Sequence, residues 1–412
     1  MAPFLTDIYN FFVYETGNQM KPATKEDIKY CGVSEEKIRK AKPKLDDEAV
    51  KYHHDWIFER YKLKKRKEAG ESVLTTDDVL LHYRFCNVFR EDDRQSRYLI
   101  DNITNNKSMS YENRFYNTLL FRMYNKWETL QKIGAPFDWA NVDSAKVYEK
   151  ILLETQKDPK YVWFTAAFNT GGLKRASGTE TILTKLPENH PDLIGIDYDE
   201  VPLYMMLQNS KYYADTFAAP KRDCLNYVEA NPEYRIITRT DQNIPLRIVK
   251  LVQKLRKEKL HEKVSLCVDQ KQCYETIKTV NGFGPFLAYQ IFVDLTYLPE
   301  FKFSDKEFTV SGPGCSLGLS YLFEDKDGMT DEEAIFWVRD YIVDEWKRLG
   351  LDYDVAGLFS DRQKWDRQLN SMQLENSFCE FSNFYKAKKG IGRPRNTYKP
   401  FVEESTALDD FT

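Results

Sequence analysis

Apolar residues recur along this chain with the period of an α-helix. In "YENRFYNTLLFRMYNKWETL", Phe115, Leu119, Met123 and Trp127 stand at successive steps of four, and in "EEAIFWVRDYIVDEWKRLG" Ile335, Val338, Ile342 and Trp346 line one stripe before Gly350. "IPLRIVKLVQKLRKEKL" follows the same rule, with Pro245 near the first turn and Ile248, Val252 and Leu255 facing inward. Clean two-residue alternation is scarce. The pattern predicts a mainly α protein with little or no sheet.

A third helical pair brackets a glycine turn. "QCYETIKTVNGFGPFLAYQIFVDL" ends one helix near Ile277 and Val280, turns through "NGFG", and opens a second at Pro285, with Leu287, Ile291 and Leu295 on one face. Gly282 and Gly284 can adopt positive φ, which lets the turn be tight and its amides point outward. With Phe283 as an apolar plug, this is the pattern of a helix-hairpin-helix, which grips a DNA phosphate without reading sequence. The expected DNA contacts are Gly282, Phe283, Gly284 and Pro285. A plain helical turn, with Gly as a C-cap and Pro at the first helical position, is the competing reading.

"YRFCNVFREDDRQSRY" (residues 83–98) mixes aromatics with four arginines and three acids. Drawn on a helix, Asn87, Arg90, Arg94 and Arg97 share a stripe, and Asp93 is close enough to orient guanidinium groups. Either this is a solvated face with internal ion pairs or it is a polar site.

Composition narrows the class. The chain has 412 residues, 30% charged and 42% hydrophobic, with a net charge of −4, which is globular composition with room for two or three cores. No apolar run approaches the ~18 residues that span a bilayer, and "MAPFLTDIYNFFVYETG" lacks a signal-peptide pattern. An intracellular protein is expected, in the cytoplasm of a bacterial or phage-infected cell or in a eukaryotic nucleus. Seven scattered cysteines form no CxxC pair, and five histidines give no ligand spacing, so structural zinc is not expected. A carboxylate-held magnesium would leave no such signature.

Three basic patches stand out against the acidic balance: "RYKLKKRK" at 60–67, "KLVQKLRKEKLHEK" at 250–263 and "KAKKGIGRPRNTYK" at 386–399. Lys388, Lys389, Arg393 and Arg395 in the last are candidate phosphate contacts. Boundaries are expected as a helical region over 1–168, a loop-rich connection over 169–240, a hairpin and C-terminal region over 241–400 and an acidic tail over 401–412. One intertwined domain is the alternative. "NTGGLKRASG" lacks the GxxxxGK[ST] order, and no Walker A motif occurs anywhere in the chain.

The segment at 58–99, the "GFGPFLAYQIFVDL" hairpin, "FTVSGPG" and "NSFCEFSNFYKAKKGIGRPR" occur in one order that resembles the 5-hydroxymethyluracil DNA kinase helical-domain family. That family is also described as α-glutamyl/putrescinyl-thymine pyrophosphorylases. The resemblance implies a mostly helical fold, here with DNA-glycosylase-like architecture, and a role in thymine hypermodification. In that chemistry a 5-hydroxymethyl group is activated with phosphate or pyrophosphate and then displaced. The family motif falls on Arg84, Phe85, Asn87, Arg90, Asp93, Arg94, Gly284, Pro285, Gly312, Pro313, Gly314, Cys379 and Glu380.

The resemblance implies DNA as partner, with a modified pyrimidine as substrate. Arginines would stabilise a leaving phosphate, Asn87 would read a pyrimidine edge, and Asp93 or Glu380 would act as base or orient an arginine. Gly312, Pro313 and Gly314 offer backbone amides for a further DNA contact. A transferase would use a nucleoside triphosphate or Mg, whereas a glycosylase would need neither. The aspartate that follows the hairpin in helix-hairpin-helix glycosylases is missing, because Val310 is followed by "SGPG"; Asp294 and Asp305 are the nearby carboxylates. Base excision and a non-catalytic DNA-binding module remain the alternatives.

Overall fold

The structure is a computed structural model that describes residues 25–158, 161–164, 180–184, 216–219, 229–230, 232, 235–239, 244–280 and 282–392. Fifteen α-helices account for most of these residues. In chain order they are α1 (Glu35–Lys40), α2 (Asp47–Glu68), α3 (Asp78–His82), α4 (Arg94–Leu99), α5 (Tyr111–Tyr124), α6 (Trp127–Ile133) and α7 (Ser144–Lys157). There follow α8 (Ile244–Lys257), α9 (Leu260–Ser265), α10 (Gln270–Lys278), α11 (Pro285–Leu295), α12 (Pro313–Leu322), α13 (Asp331–Arg348), α14 (Val355–Leu358) and α15 (Ser371–Lys389).

Local chemistry explains where the long helices begin. Asp46 caps α2 by accepting from the amides of Glu48 and Ala49. Thr330 with Glu333, and Asn370 with Gln373, form reciprocal capping boxes at α13 and α15. Each satisfies amides that a helix start leaves orphaned, and such a cap stabilises by about 0.5–2 kcal/mol. The continuous helix expected through Trp127 is two. Asn125, at φ +49, breaks the chain between α5 and α6, a left-handed position that asparagine tolerates.

Two short antiparallel sheets complete the fold. Lys44–Leu45 (β1) pairs with Phe323–Asp325 (β5), and Glu180–Thr184 (β2) lies between Thr216–Ala219 (β3) and Arg235–Arg239 (β4). The register sets Ile182 opposite Ala218 on one side and Ile237 on the other. Sheet is minor, as the pattern predicts. Its strands nevertheless occupy the stretch expected to be loop-rich, where "ETILT" and "RIITR" carry β-branched residues suited to strands.

Buried side chains collect in two cores. One is built mainly from residues 99–303 around α5, α8, α10 and α11, and contains Phe115, Tyr116, Phe121 and Phe292. The other joins residues 38–89 to residues 315–384, so both ends of the described chain pack around Trp56, Trp346 and Phe378. In the second core α12 and α15 touch closely. A Cβ on Gly318 would stand 2.2 Å from the Phe378 carbonyl oxygen, and one on Gly314 would stand 2.5 Å from Cys379 Sγ. At Gly318, where the obstacle is backbone, only glycine fits, whereas at Gly314 the Cys379 thiol would have to turn aside.

Candidate functional site

The segment from Tyr83 to Arg90 crosses from the second core to the first, and side-chain bonds hold it in an irregular path. Arg60 of α2 donates through Nε to the Cys86 carbonyl (3.0 Å) and through Nη2 to the Phe85 carbonyl (3.3 Å). Asp93 Oδ1 accepts from the Asn87 amide (2.7 Å) and from Asn87 Nδ2 (3.0 Å), and Nδ2 also donates to the Asp92 carbonyl (3.0 Å). These local bonds compete with helical ones. Helix α4 therefore begins only at Arg94, after a 3₁₀ turn at Arg90–Asp92, and the single helical stripe expected over 87–97 does not form. Asn87, Arg90 and Asp93 are brought together by the closed loop. Arg84, Arg94 and Arg97 are exposed, and Arg94 lies 3.5 Å from Glu128.

Arg90 points into the molecule and meets a buried carboxylate. Asp294, the penultimate residue of α11 and fully enclosed, accepts from Arg122 Nε (2.6 Å) and Nη2 (2.5 Å) on α5, and from Arg90 Nη2 (3.4 Å). The forked Arg122 contact is the strong bidentate geometry. Burial opposes charge on the Arg90 guanidinium, but Asp294, Tyr297, Glu375 and Asp93 raise its pKa above the ordinary arginine value. Asp294 thus ties the two cores together.

Helices α12 and α15 supply the rest of the site. Glu375 Oε1 accepts from the Gly312 amide (3.3 Å), Glu380 Oε2 accepts from the Cys86 amide (3.2 Å), and Asn376 Nδ2 donates to the Asn87 carbonyl (3.3 Å). Burial pushes the Glu375 carboxyl up to about 7 against the pull of Arg90 and the Gly312 amide. Burial likewise pushes Asp93 up to about 7; the Asn87 amide, Arg60 and Arg90 oppose the rise and Glu380 adds to it. Glu380 is also raised by burial. Burial with Glu380 and Asp93 nearby lifts the Cys86 thiol well above its ordinary value, so it stays protonated and is a poor nucleophile.

These groups are enclosed but not sealed. Cys86, Asn87, Asp93, Gly312, Gly314, Asn376, Cys379 and Glu380 are each half-buried, above Arg90 and Glu375, which are buried. The result is a partly buried cluster of carboxyl groups, raised toward neutrality by burial, around the Arg90 guanidinium. Such groups exchange protons readily at physiological pH.

In the turn before α11, where Asn281 lies outside the described residues, one of the two glycines expected at positive φ has it. Gly282 has φ +97, whereas Gly284 is an extended N-cap at φ −70, and Pro285 opens the helix. Phe283 is buried in the first core. Gly312 and Pro313 likewise begin α12; the Gly312 amide is given to Glu375, and Gly314 makes room for Cys379.

The basic patches carry acidic partners. Lys64 meets Asp92 (3.1 Å), Lys65 meets Asp361 (2.8 Å), Arg256 meets Glu112 (3.0 Å), Lys388 meets Asp77 (2.5 Å) and Lys389 meets Glu48 (2.6 Å). Lys65–Asp361 and Lys389–Glu48 each have an exposed member and stabilise by less than about 1 kcal/mol, so those cations change partners at low cost, whereas Lys64–Asp92 and Lys388–Asp77 are partly buried. Arg393 and Arg395 lie outside the described residues. Among the described residues, no cluster of three His, Cys, Asp or Glu side chains is arranged to hold a metal ion, and no helix is long and apolar enough to cross a membrane.

Sequence reasoning missed Arg60, Arg122, Glu375 and Asn376. Arg122 carries a readable signal, a charge inside the otherwise apolar helical run "LLFRMY", whereas Glu375 stands among other polar residues in "MQLENSF". Arg60 was hidden within a patch that reads as surface.

Residues 47–391 match the family model described as the helical domain of 5-hmdU DNA kinase. A 5-hmdU DNA kinase of Bacillus phage SP10 is 24% identical over 345 residues, which cover 79% of this chain and 43% of that protein. The chain thus spans less than half the length of the curated relative it matches. No solved structure matches it.

Proposed function

Because the chain belongs to the 5-hmdU DNA kinase helical-domain family, we propose that it acts on 5-hydroxymethyluracil in DNA, at the hydroxymethyl group of a base turned out of the duplex. The observation that supports this reading is the gathering of two carboxyls, Asp93 on the closed Asn87 loop and Glu375 on the Gly312 amide, around Arg90, with burial raising both toward neutrality. A base tuned to working pH is suited to accept the hydroxyl proton. The freed oxygen then attacks the terminal phosphorus of a nucleoside triphosphate; a P–O bond forms and the bond to the departing diphosphate breaks.

The residues described above supply the base pocket and the grip on DNA, and the nucleotide is held by a site of a kind other than a P-loop, since the chain carries no Walker A sequence. Asn87 Nδ2 is spent on Asp92 and Asp93, which leaves Oδ1 to accept from the N3–H of a uracil ring. A cytosine ring has no such proton. Arg84 and Arg94, both exposed, and the turn at Gly282 to Pro285 contact backbone phosphates, with Lys388 and Lys389 exchanging their acids for them. Asp294, enclosed by two guanidiniums, positions Arg90 and does not activate water.

The test is to incubate the protein with DNA containing 5-hydroxymethyluracil, a nucleoside triphosphate and Mg, then to digest and weigh the nucleosides. A mass gain of one phosphoryl group on the modified nucleoside is expected. Released base with abasic sites would replace this reading with base excision. An unchanged digest with salt-sensitive binding would leave a DNA-binding module.

A further inference from the structure

Phe286, the second residue of α11, is 38% exposed and is the one exposed phenylalanine among the described side chains. Nothing in the fold requires it there, because its neighbours Phe283 and Leu287 already anchor the turn and the helix in the first core. Its position is informative. A Cβ on Gly312 would lie 3.9 Å from Phe286 Cδ2 and 3.3 Å from Glu375 Oε1. The edge of the Phe286 ring and the Glu375 carboxyl therefore both come within contact distance of the Gly312 position, so that an exposed aromatic stands beside the carboxyl of the candidate site.

An exposed aromatic beside a carboxyl suits one chemistry: a flat ring that stacks on the aromatic's open face and carries a polar substituent toward the carboxyl. We propose that Phe286 is the stacking platform for the target pyrimidine, with its ring against the base and Glu375 on the side of the hydroxymethyl group. This inference rests on the DNA-base reading above and adds the residue that holds the base in place. Stacking on an aromatic is tolerant of base identity, so Phe286 supplies grip and the polar groups supply selectivity. Because Phe286 is partly exposed and outside both cores, its replacement leaves the fold intact.

The experiment measures affinity for two single-stranded oligonucleotides, identical except that one carries 5-hydroxymethyluracil and the other an abasic analogue at the same position. The full chain is compared with Phe286→Ala, Phe286→Leu and Phe286→Tyr. Wild type should bind the base-containing strand more tightly than the abasic one. Phe286→Ala and Phe286→Leu should lose roughly ten- to hundred-fold for the base-containing strand only, and Phe286→Tyr should retain the preference.

Equal losses on both strands would overturn the proposal, because the ring would then be gripping the backbone. Unchanged binding in the variants would overturn it too and leave Phe286 as a protein-docking residue, while the base reading stood. Wild type that binds neither strand would overturn the base reading and this proposal together.

Discussion

The raised carboxyl at Asp93 makes stability depend on pH in a direction opposite to the usual aspartate. Its ordinary value is 3.8 and in the folded chain it titrates at about 7. Between those values the folded chain holds a proton that the unfolded chain has lost. Stability therefore falls as pH rises through this window, by about 1.4 kcal/mol per pH unit and about 4 kcal/mol in all. Below pH 4 the effect vanishes, and above pH 7 the full penalty is present. Glu375, raised from 4.5 to about 7, adds a second slope of the same sign.

His53 works against them: burial lowers its pKa from 6.5 to about 3, so the folded ring stays neutral while the unfolded one is protonated. Its contribution rises with pH between those values and cancels one carboxyl slope up to about pH 6.5. The clean measurement is therefore a difference. Asp93→Asn keeps an acceptor oxygen for Asn87 but cannot ionise. Urea midpoints of wild type and variant, taken from pH 5 to pH 8, should move apart in the variant's favour by about 3 kcal/mol. A difference that stays constant within about 0.5 kcal/mol would refute the buried, near-neutral carboxyl.

Three further outcomes follow from particular contacts. Asp294→Asn leaves two buried guanidiniums without their anion and should cost about 3–5 kcal/mol in urea denaturation, and a loss under about 1 kcal/mol would contradict the paired geometry. Gly318→Ala forces a methyl into the Phe378 carbonyl and should cost roughly 1–3 kcal/mol, read as a lowered melting temperature; an unchanged melt would mean that α12 and α15 lie farther apart. Glu375→Gln should lower the rate of base modification about 10²- to 10⁴-fold while the protein remains folded by circular dichroism, whereas an undiminished rate would remove Glu375 from proton transfer.

The helices were legible because their apolar spacing is a local signal. The stripes through Phe115, Ile335 and Ile248 all belong to helices buried in a core. The turn between α10 and α11 was legible for the same reason, since Gly282 and Pro285 act within a few residues of themselves. The site was only half legible. Arg90, Asn87, Asp93 and Glu380 stand in a recognisable motif, but the helix drawn through them was wrong because Asp93 closes the segment onto Asn87. Partners across the fold leave no local trace: Arg90 meets Asp294 across 204 positions, and Gly312 meets Glu375 across 63. Only the oddity of a charge inside an apolar run hints at Arg122, and nothing local hints at Glu375.

The central claim is that the polar cluster around Arg90 receives the target base. The most direct measurement places 5-iodouracil at the target position of a DNA strand, irradiates the complex, and maps the crosslinked peptide by mass spectrometry. The account predicts attachment at Phe286 or within residues 83–98, 309–316 or 374–381. Efficient crosslinking confined to other parts of the chain would contradict it.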